Sequence, residues 1–171
     1  MRRLGAREED MLSSQSNLAS TYAKLGRLEE ALRTSRDVYA GRLKLHGEEN
    51  ERTLRASFNY ASYCLCQKRF NETKSLLRKT LPIARRVLGD NNRLTLKMRW
   101  VCSEALYKDD GATLDNLREA VTTLEDAERI ARRVLGGAHP TAKGIERRLR
   151  NARAALRARE TPPPPSPPED M

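Results

Sequence analysis

At 171 residues the chain has room for one compact domain or a short solenoid, and at 38% hydrophobic against 33% charged it is lean in core and rich in solvated faces. The formal charge of +10 favours an acidic partner, whether nucleic acid, anionic membrane or peptide. Three cysteines (Cys64, Cys66, Cys102) make no disulfide framework, no run nears the roughly 20 apolar residues of a membrane span, and no apolar run follows Met1-Arg2-Arg3 as in a signal peptide, so a soluble chain in a reducing, cytoplasmic setting is expected.

The phrase ARRVLG occurs at 84–89 and again at 131–136. With its glycine as a ruler, Gly5, Gly47 and Gly89 lie 42 residues apart and Gly136 follows 47 later. Leu12, Leu54 and Leu96 keep the same step, as do Asn17 and Asn59, Ala19 and Ala61, and Glu30 and Glu72. One phase for all these matches indicates a repeated structural unit. Residues 1–8 then read as the tail of an incomplete preceding repeat, with Gly5 as its helix stop.

Three units follow, at about 9–50, 51–92 and 93–137, each predicted to be two helices. The first helices run about 9–25, 51–67 and 93–107. In unit one, Leu12, Leu18, Ala19, Tyr22 and Leu25 give the helical spacing of a packed face. The second helices run about 28–45, 70–88 and 114–135. Leu28, Ala31, Leu32, Ser35, Val38 and Tyr39 form an inward stripe in the first of these. ARRVLG is the last turn of such a helix. Val and Leu are expected to pack inward, the paired arginines to lie outward at the negative end of the helix dipole, and Gly to stop the helix. Pro82 and Gly41 fall inside second helices, and a bend is expected near them. The five extra residues of the last interval fall near KDDGATLDN, 108–116, where Asp110-Gly111 supplies a turn and Thr113 a helix cap. Residues 138–160 form a basic capping helix with one narrow apolar stripe (Ile145, Leu149, Ala152, Leu156), and the Pro-rich stretch 161–171 is expected to be disordered.

NLASTYAKLGRLEEAL at 17–32, the 42-residue step and LGGAHPTA at 135–142 resemble the tetratricopeptide repeat, of the kinesin light chain type. The resemblance implies an all-α, right-handed solenoid of antiparallel helix pairs whose first helices line a concave, peptide-binding groove. It does not imply a kinesin heavy chain as partner, because no long heptad coiled coil is present. Unit three departs from the pattern, with Val101-Cys102-Ser103 in place of Asn-Leu-Ala.

Carried onto this chain, the family's groove positions are Ser13, Arg55 and Lys97; then Ser16, Phe58 and Trp100 beside Asn17 and Asn59; then Ser20, Ser62 and Glu104; with Lys24 and Lys108 near the helix ends. Asparagine amides can pair with an extended backbone, and Lys24, Arg55 and Lys97 would favour acidic side chains. Asn17 and Asn59 equally fit bonds between helices, and Trp100 fits either an anchor for a partner or packing between units two and three. The rival surface is the basic helix. Residues 143–159 hold seven basic residues against Glu146 alone, so Arg147, Arg148, Arg150, Arg153 and Arg157 are candidates for binding nucleic acid or another anionic surface. No aromatic side chain on that helix offers base stacking. Cys64 and Cys66, two apart on a helix, do not face each other, His46 and His139 sit at different helix ends, and no phosphate loop or nucleophile motif occurs. No metal, cofactor or catalytic role is expected.

Overall fold

A computed structural model of the chain describes residues 2–161, residues 2–6 by their backbone alone. It contains seven helices: α1 (Arg2–Lys24), α2 (Leu28–His46), α3 (Glu51–Cys66), α4 (Phe70–Leu88), α5 (Arg93–Tyr107), α6 (Leu114–Leu135) and α7 (Pro140–Glu160), with no strand among the described residues. Each helix packs on the next, and in addition α3 lies against α5 and α5 against α7. This is an all-α repeat array in which α3, α5 and α7 lie side by side. The Pro-rich stretch beyond Thr161 lies outside the described residues.

The repeat boundary explains this alignment. α2, α4 and α6 end at Gly47, Gly89 and Gly136, with φ of +79°, +86° and +84°. Each glycine N–H donates to a carbonyl of the last turn, on Leu43, Arg85 and Arg132. Three residues later a side chain caps the next helix. Asn50 Oδ1 accepts from Arg52 N–H at 2.8 Å, Asn92 Oδ1 from Leu94 N–H at 2.8 Å, and His139 Nδ1 from Thr141 N–H at 3.1 Å. The turn within a pair also needs a positive φ, at Gly26 (+76°) in unit one and at Lys68 (+59°) in unit two. In unit three the inserted loop replaces that turn. Asp109 accepts from Gly111 N–H and pairs with Lys74 of α4 at 2.7 Å, and Thr113 and Asn116 close a reciprocal cap on α6.

Three sequence expectations are corrected and a fourth is extended. In ARRVLG the alanine faces the core: Ala84 and Ala131 are fully buried, whereas Val87 and Val134 are 41% and 44% exposed. The second arginine does more than complement the dipole. Arg86 donates to Glu49 and Arg133 to Asn91, each in the boundary loop one repeat earlier, at 2.5 and 3.2 Å. In α1, Leu12 and Ala19 are buried but Leu18 and Leu25 are exposed. Finally, α1 runs unbroken from Arg2, so Gly5 lies inside a helix and stops none.

The core runs along the array as contiguous clusters. Leu54, Leu77 and Met98 join α3, α4 and α5, and Leu96, Leu124 and Ile145 join α5, α6 and α7. Burying each such side chain is worth about 1.5–3 kcal/mol. Pro82 is exposed, and α4 continues through it to Leu88. Gly41 has a packing cause: a Cβ there would lie 2.6 Å from Leu12 Cδ2. Helix propensity alone would make Gly41→Ala stabilising by about 1 kcal/mol. The contact reverses the sign, and we expect a net loss of about 1–2 kcal/mol in urea unfolding; a gain in stability would remove the Leu12–Gly41 contact as the reason for the glycine.

Candidate functional site

Two adjoining clefts open along the side-by-side first helices. The larger, about 550 Å³, lies between α3 and α5 and is lined by Glu51, Arg55, Phe58, Asn59, Arg93 and Lys97, with Asn92 and Leu94 at its edge. It sits at the N-terminal ends of both helices, where the helix dipoles are positive, and α5 has no acidic residue in its first turn. Arg55 pairs with Glu51 one turn earlier at 2.5 Å, in an exposed contact worth little. Lys97 Nζ stands 5.9 Å from the centre of the Phe58 ring. Burial, then the charges of Arg93 and Arg55, lowers the pKa of the Lys97 ammonium below its ordinary value. Three cations thus crowd one cleft with a single carboxylate among its lining residues.

The second cleft, about 290 Å³, continues toward the C-terminal ends of the helices, between Phe58, Ser62, Leu65 and Cys66 of α3 and Lys97, Trp100, Val101, Glu104 and Lys108 of α5, with Arg148 of α7 closing it. Its floor is an ordered charge cluster. Glu104, 6% exposed, accepts from Trp100 Nε1–H at 2.9 Å and pairs with Arg148 and Lys108, each at 2.6 Å. The Arg148 guanidinium lies 3.7 Å from the centre of the Trp100 ring. The same ring sits against Gly144, where a Cβ would come within 3.1 Å of it. Trp100 is therefore held between α5 and α7 while one side still lines the cleft.

The expected groove residues divide. Arg55, Asn59, Ser62, Lys97 and Trp100 come together on the two clefts. Ser62 donates to its own helix at Phe58 O, 2.8 Å. On α1, Asn17, Ser20 and Lys24 are exposed but line neither cleft. Ser13 belongs to a different cluster. It accepts from Arg42 at 3.3 Å beside Glu9, which pairs with His46, Arg52 and Arg42 at 2.7, 2.9 and 3.4 Å. Burial would raise the Glu9 carboxyl, but these partners hold it below the usual range. Of the candidate anion-binding arginines, Arg148 is engaged by Glu104 and Trp100, and Arg153 by Glu125 at 2.7 Å, so neither is free. Arg147, Arg150 and Arg157 remain exposed.

Among the described residues no group of three or more metal-ligating side chains converges, and no helix is long and apolar enough to cross a membrane. Burial pushes the thiols of Cys64 and Cys102 up to about 12 and about 11, so they are poor nucleophiles.

Residues 10–86 match the tetratricopeptide repeat family profile. The likeness is to tetratricopeptide repeat proteins of the kinesin light chain-like type. Its fold is similar to that of a Podosopora anserina protein described as a kinesin light chain with nearly identical TPR-like repeats, at 25% identity and a TM-score of 0.74, over 85% of this chain and 66% of that one. It is also similar to BtubC (BKLC) from P. vanneervenii, at 13% identity and a TM-score of 0.58, over 96% of this chain and 70% of that one, a likeness of fold alone. No curated protein matches the chain in sequence. Tetratricopeptide repeats mediate protein–protein interactions, and the family is typically a scaffold rather than an enzyme.

Sequence reasoning missed Arg93 and the role of Arg148 in this repeat protein. Arg93 had a signal, since it lies one helical turn before Lys97. Arg148 had none, since its partner Glu104 is 44 residues away. Burial works to raise the Glu104 carboxyl, but the hydrogen bonds from Lys108, Arg148 and Trp100 outweigh it and leave the carboxyl below its ordinary value of 4.5. A carboxyl lowered in the folded state favours folding above its ordinary range, and that gain is lost as pH falls through the lowered value. Glu104→Gln is expected to cost about 3 kcal/mol near neutral pH, because Arg148 is left buried without its counter-charge. The deficit should shrink on acidification below pH ~4 in urea titrations; a deficit independent of pH would assign it to packing.

Proposed function

We propose that the chain is a non-catalytic scaffold whose first helices hold an acidic segment of a partner protein along α3, α5 and α7. The observation that carries this reading is the crowding of Arg55, Arg93 and Lys97 in one cleft. Like charges at close range are unfavourable, and a carboxylate placed among them relieves the repulsion and raises the lysine's pKa back toward its ordinary value. Asn59 stands beside them, its amide able to donate to and accept from an extended backbone. The second cleft, with Phe58, Leu65, Val101 and the Trp100 ring, offers the apolar surface on which a neighbouring side chain of the same segment would lie.

The test is an array of synthetic decapeptides graded in net charge, followed by titration of the tightest binder. Acidic peptides should be selected. The double reversal Arg55→Glu/Lys97→Glu should weaken the selected peptide by roughly a hundredfold, since each contact to a charged group is worth about 1.5–3 kcal/mol. Binding unchanged by the double reversal would sink the groove.

A second reading rests on a separate observation. Lys143, Arg147, Arg150 and Arg157 are exposed and recur at i, i+4, i+7 and i+14 on α7, and no ion pair engages them among the described residues. A row of this kind can track phosphates. If it binds nucleic acid, the logarithm of affinity should fall against the logarithm of salt with a slope of about −3, and the four-fold glutamine variant should flatten it. A flat response in the unmodified chain removes this reading.

A further inference from the structure

The outer face of α1 is composed like an interior face. Met11, Leu18 and Leu25 recur every seventh residue and are 52%, 44% and 66% exposed. They make up three of the six large apolar side chains that are exposed among the described residues. The repeat step places Met11 and Leu18 in register with Thr53 and Tyr60, then Thr95 and Cys102, then Ala142 and Leu149, all of them buried. In every case the cover is the second helix of the preceding repeat. Thr53 Oγ1 donates to Arg42 O of α2 at 3.1 Å, and Tyr60 lies against Tyr39 with ring centroids 6.3 Å apart. Thr95 Oγ1 reaches Ala84 O of α4 at 3.5 Å, and Cys102 belongs to one cluster with Leu77 and Ala84. Ala142 and Leu149 pack in one cluster with Leu124 and Ala131 of α6.

The α1 row is thus a continuation of the stacking interface, and it is more apolar than the rows buried in α3 and α5. A helix that closes an array needs a polar outer face, and the exposed basic row of α7 has that character. We infer that the outer face of α1 is a docking site for a partner amphipathic helix with the second-helix pattern. The chemistry of that partner follows from α4 and α6: a leucine with an alanine seven residues later, as in Leu77 and Ala84 or Leu124 and Ala131. It runs antiparallel to α1, its alanine over Met11 and its leucine over Leu18. This face does not depend on the peptide groove. Ser13 and Ser20, two residues beyond Met11 and Leu18, lie about 200° round the helix from it.

The closest probe in chemistry is a synthetic peptide of residues 114–135, because α6 covers Leu149 of α7, the residue in register with Leu18, and the α7 row continues to a leucine at 156 as the α1 row does at 25. Added to the full chain, it should give saturable methyl NMR shifts at Met11, Leu18 and Leu25. Leu18→Ser and, separately, Leu25→Ser should each weaken binding at least about tenfold. Both residues are exposed, so helix content by circular dichroism should not change. Absence of shifts at the three residues would overturn the proposal. Shifts confined to Ala142 and Leu149 would do so too, by showing exchange with the chain's own α6. So would sedimentation showing a dimer of the unmodified chain that Leu25→Ser dissociates, since a second α1 would then be the occupant.

Discussion

Everything about the candidate groove depends on a backbone reversal of fixed geometry at Gly47, Gly89 and Gly136. With φ positive and ψ extended, a residue bearing a Cβ there costs about 1–3 kcal/mol, and the chain has glycine at all three boundaries. The cap that follows at Asn50, Asn92 or His139 starts the next helix at a constant interval. Because reversal and cap repeat together, α3, α5 and α7 begin at the same level and lie side by side. The five-residue insertion is tolerated because it falls inside a helix pair, away from this device. Arg86 and Arg133 reinforce it by tying the end of one second helix to the boundary loop of the repeat before.

A formal charge of +10 says little until each cation is placed. Arg42, Arg99, Arg148 and Arg153 are taken up by acids or carbonyls of neighbouring helices and hold the array together. Among the cations that no described acid engages, Arg93 and Lys97 gather in the cleft between α3 and α5 and Lys143, Arg147, Arg150 and Arg157 form the outer row of α7, while others, such as Lys44 and Lys79, are exposed elsewhere. The two sites differ in kind. In the cleft Lys97 is partly buried and its charge is disfavoured, whereas the α7 row stands in solvent where salt screens it. On the proposed reading it is this partly buried lysine, more than the number of charges, that would make the cleft selective.

Features governed by local chemistry were legible in the sequence. The glycine stops, the cap at Thr113 and the spacing of Leu54, Leu77 and Leu96 follow from backbone and periodicity rules. Arg55, Asn59, Ser62, Lys97 and Trp100 share one surface because repeat register carries side-chain direction with it. What the sequence concealed was long-range pairing. Glu9 meets His46 37 residues away, and Arg148 meets Glu104 across 44. Gly41 reads as a helix breaker until Leu12 is placed against it. Periodicity also failed on Val87 and Leu18 for two different reasons: Val87 lies at the margin of a stripe wider than the face its neighbours cover, and Leu18 lies on a face that no second helix among the described residues covers.

The two outermost helices show how far repeat symmetry can be pressed. α1 and α7 occupy equivalent places, and residues at equivalent steps, Leu18 and Leu149 or Leu25 and Leu156, are leucines in both. In α7 Leu149 is covered by α6 and Leu156 is half-buried, and the helix's free side is charged. In α1 the same row faces outward. Identical side chains in identical local geometry are therefore core in one helix and surface in the other, and only the presence of a neighbouring second helix separates the two cases. Stacking interfaces of this kind contribute to stability as nearest-neighbour terms, so a helix seated on α1 would add a term like the one α6 already contributes to α7. On this view binding at α1 and folding of the array draw on the same contacts, and a partner there would stabilise the first repeat along with itself.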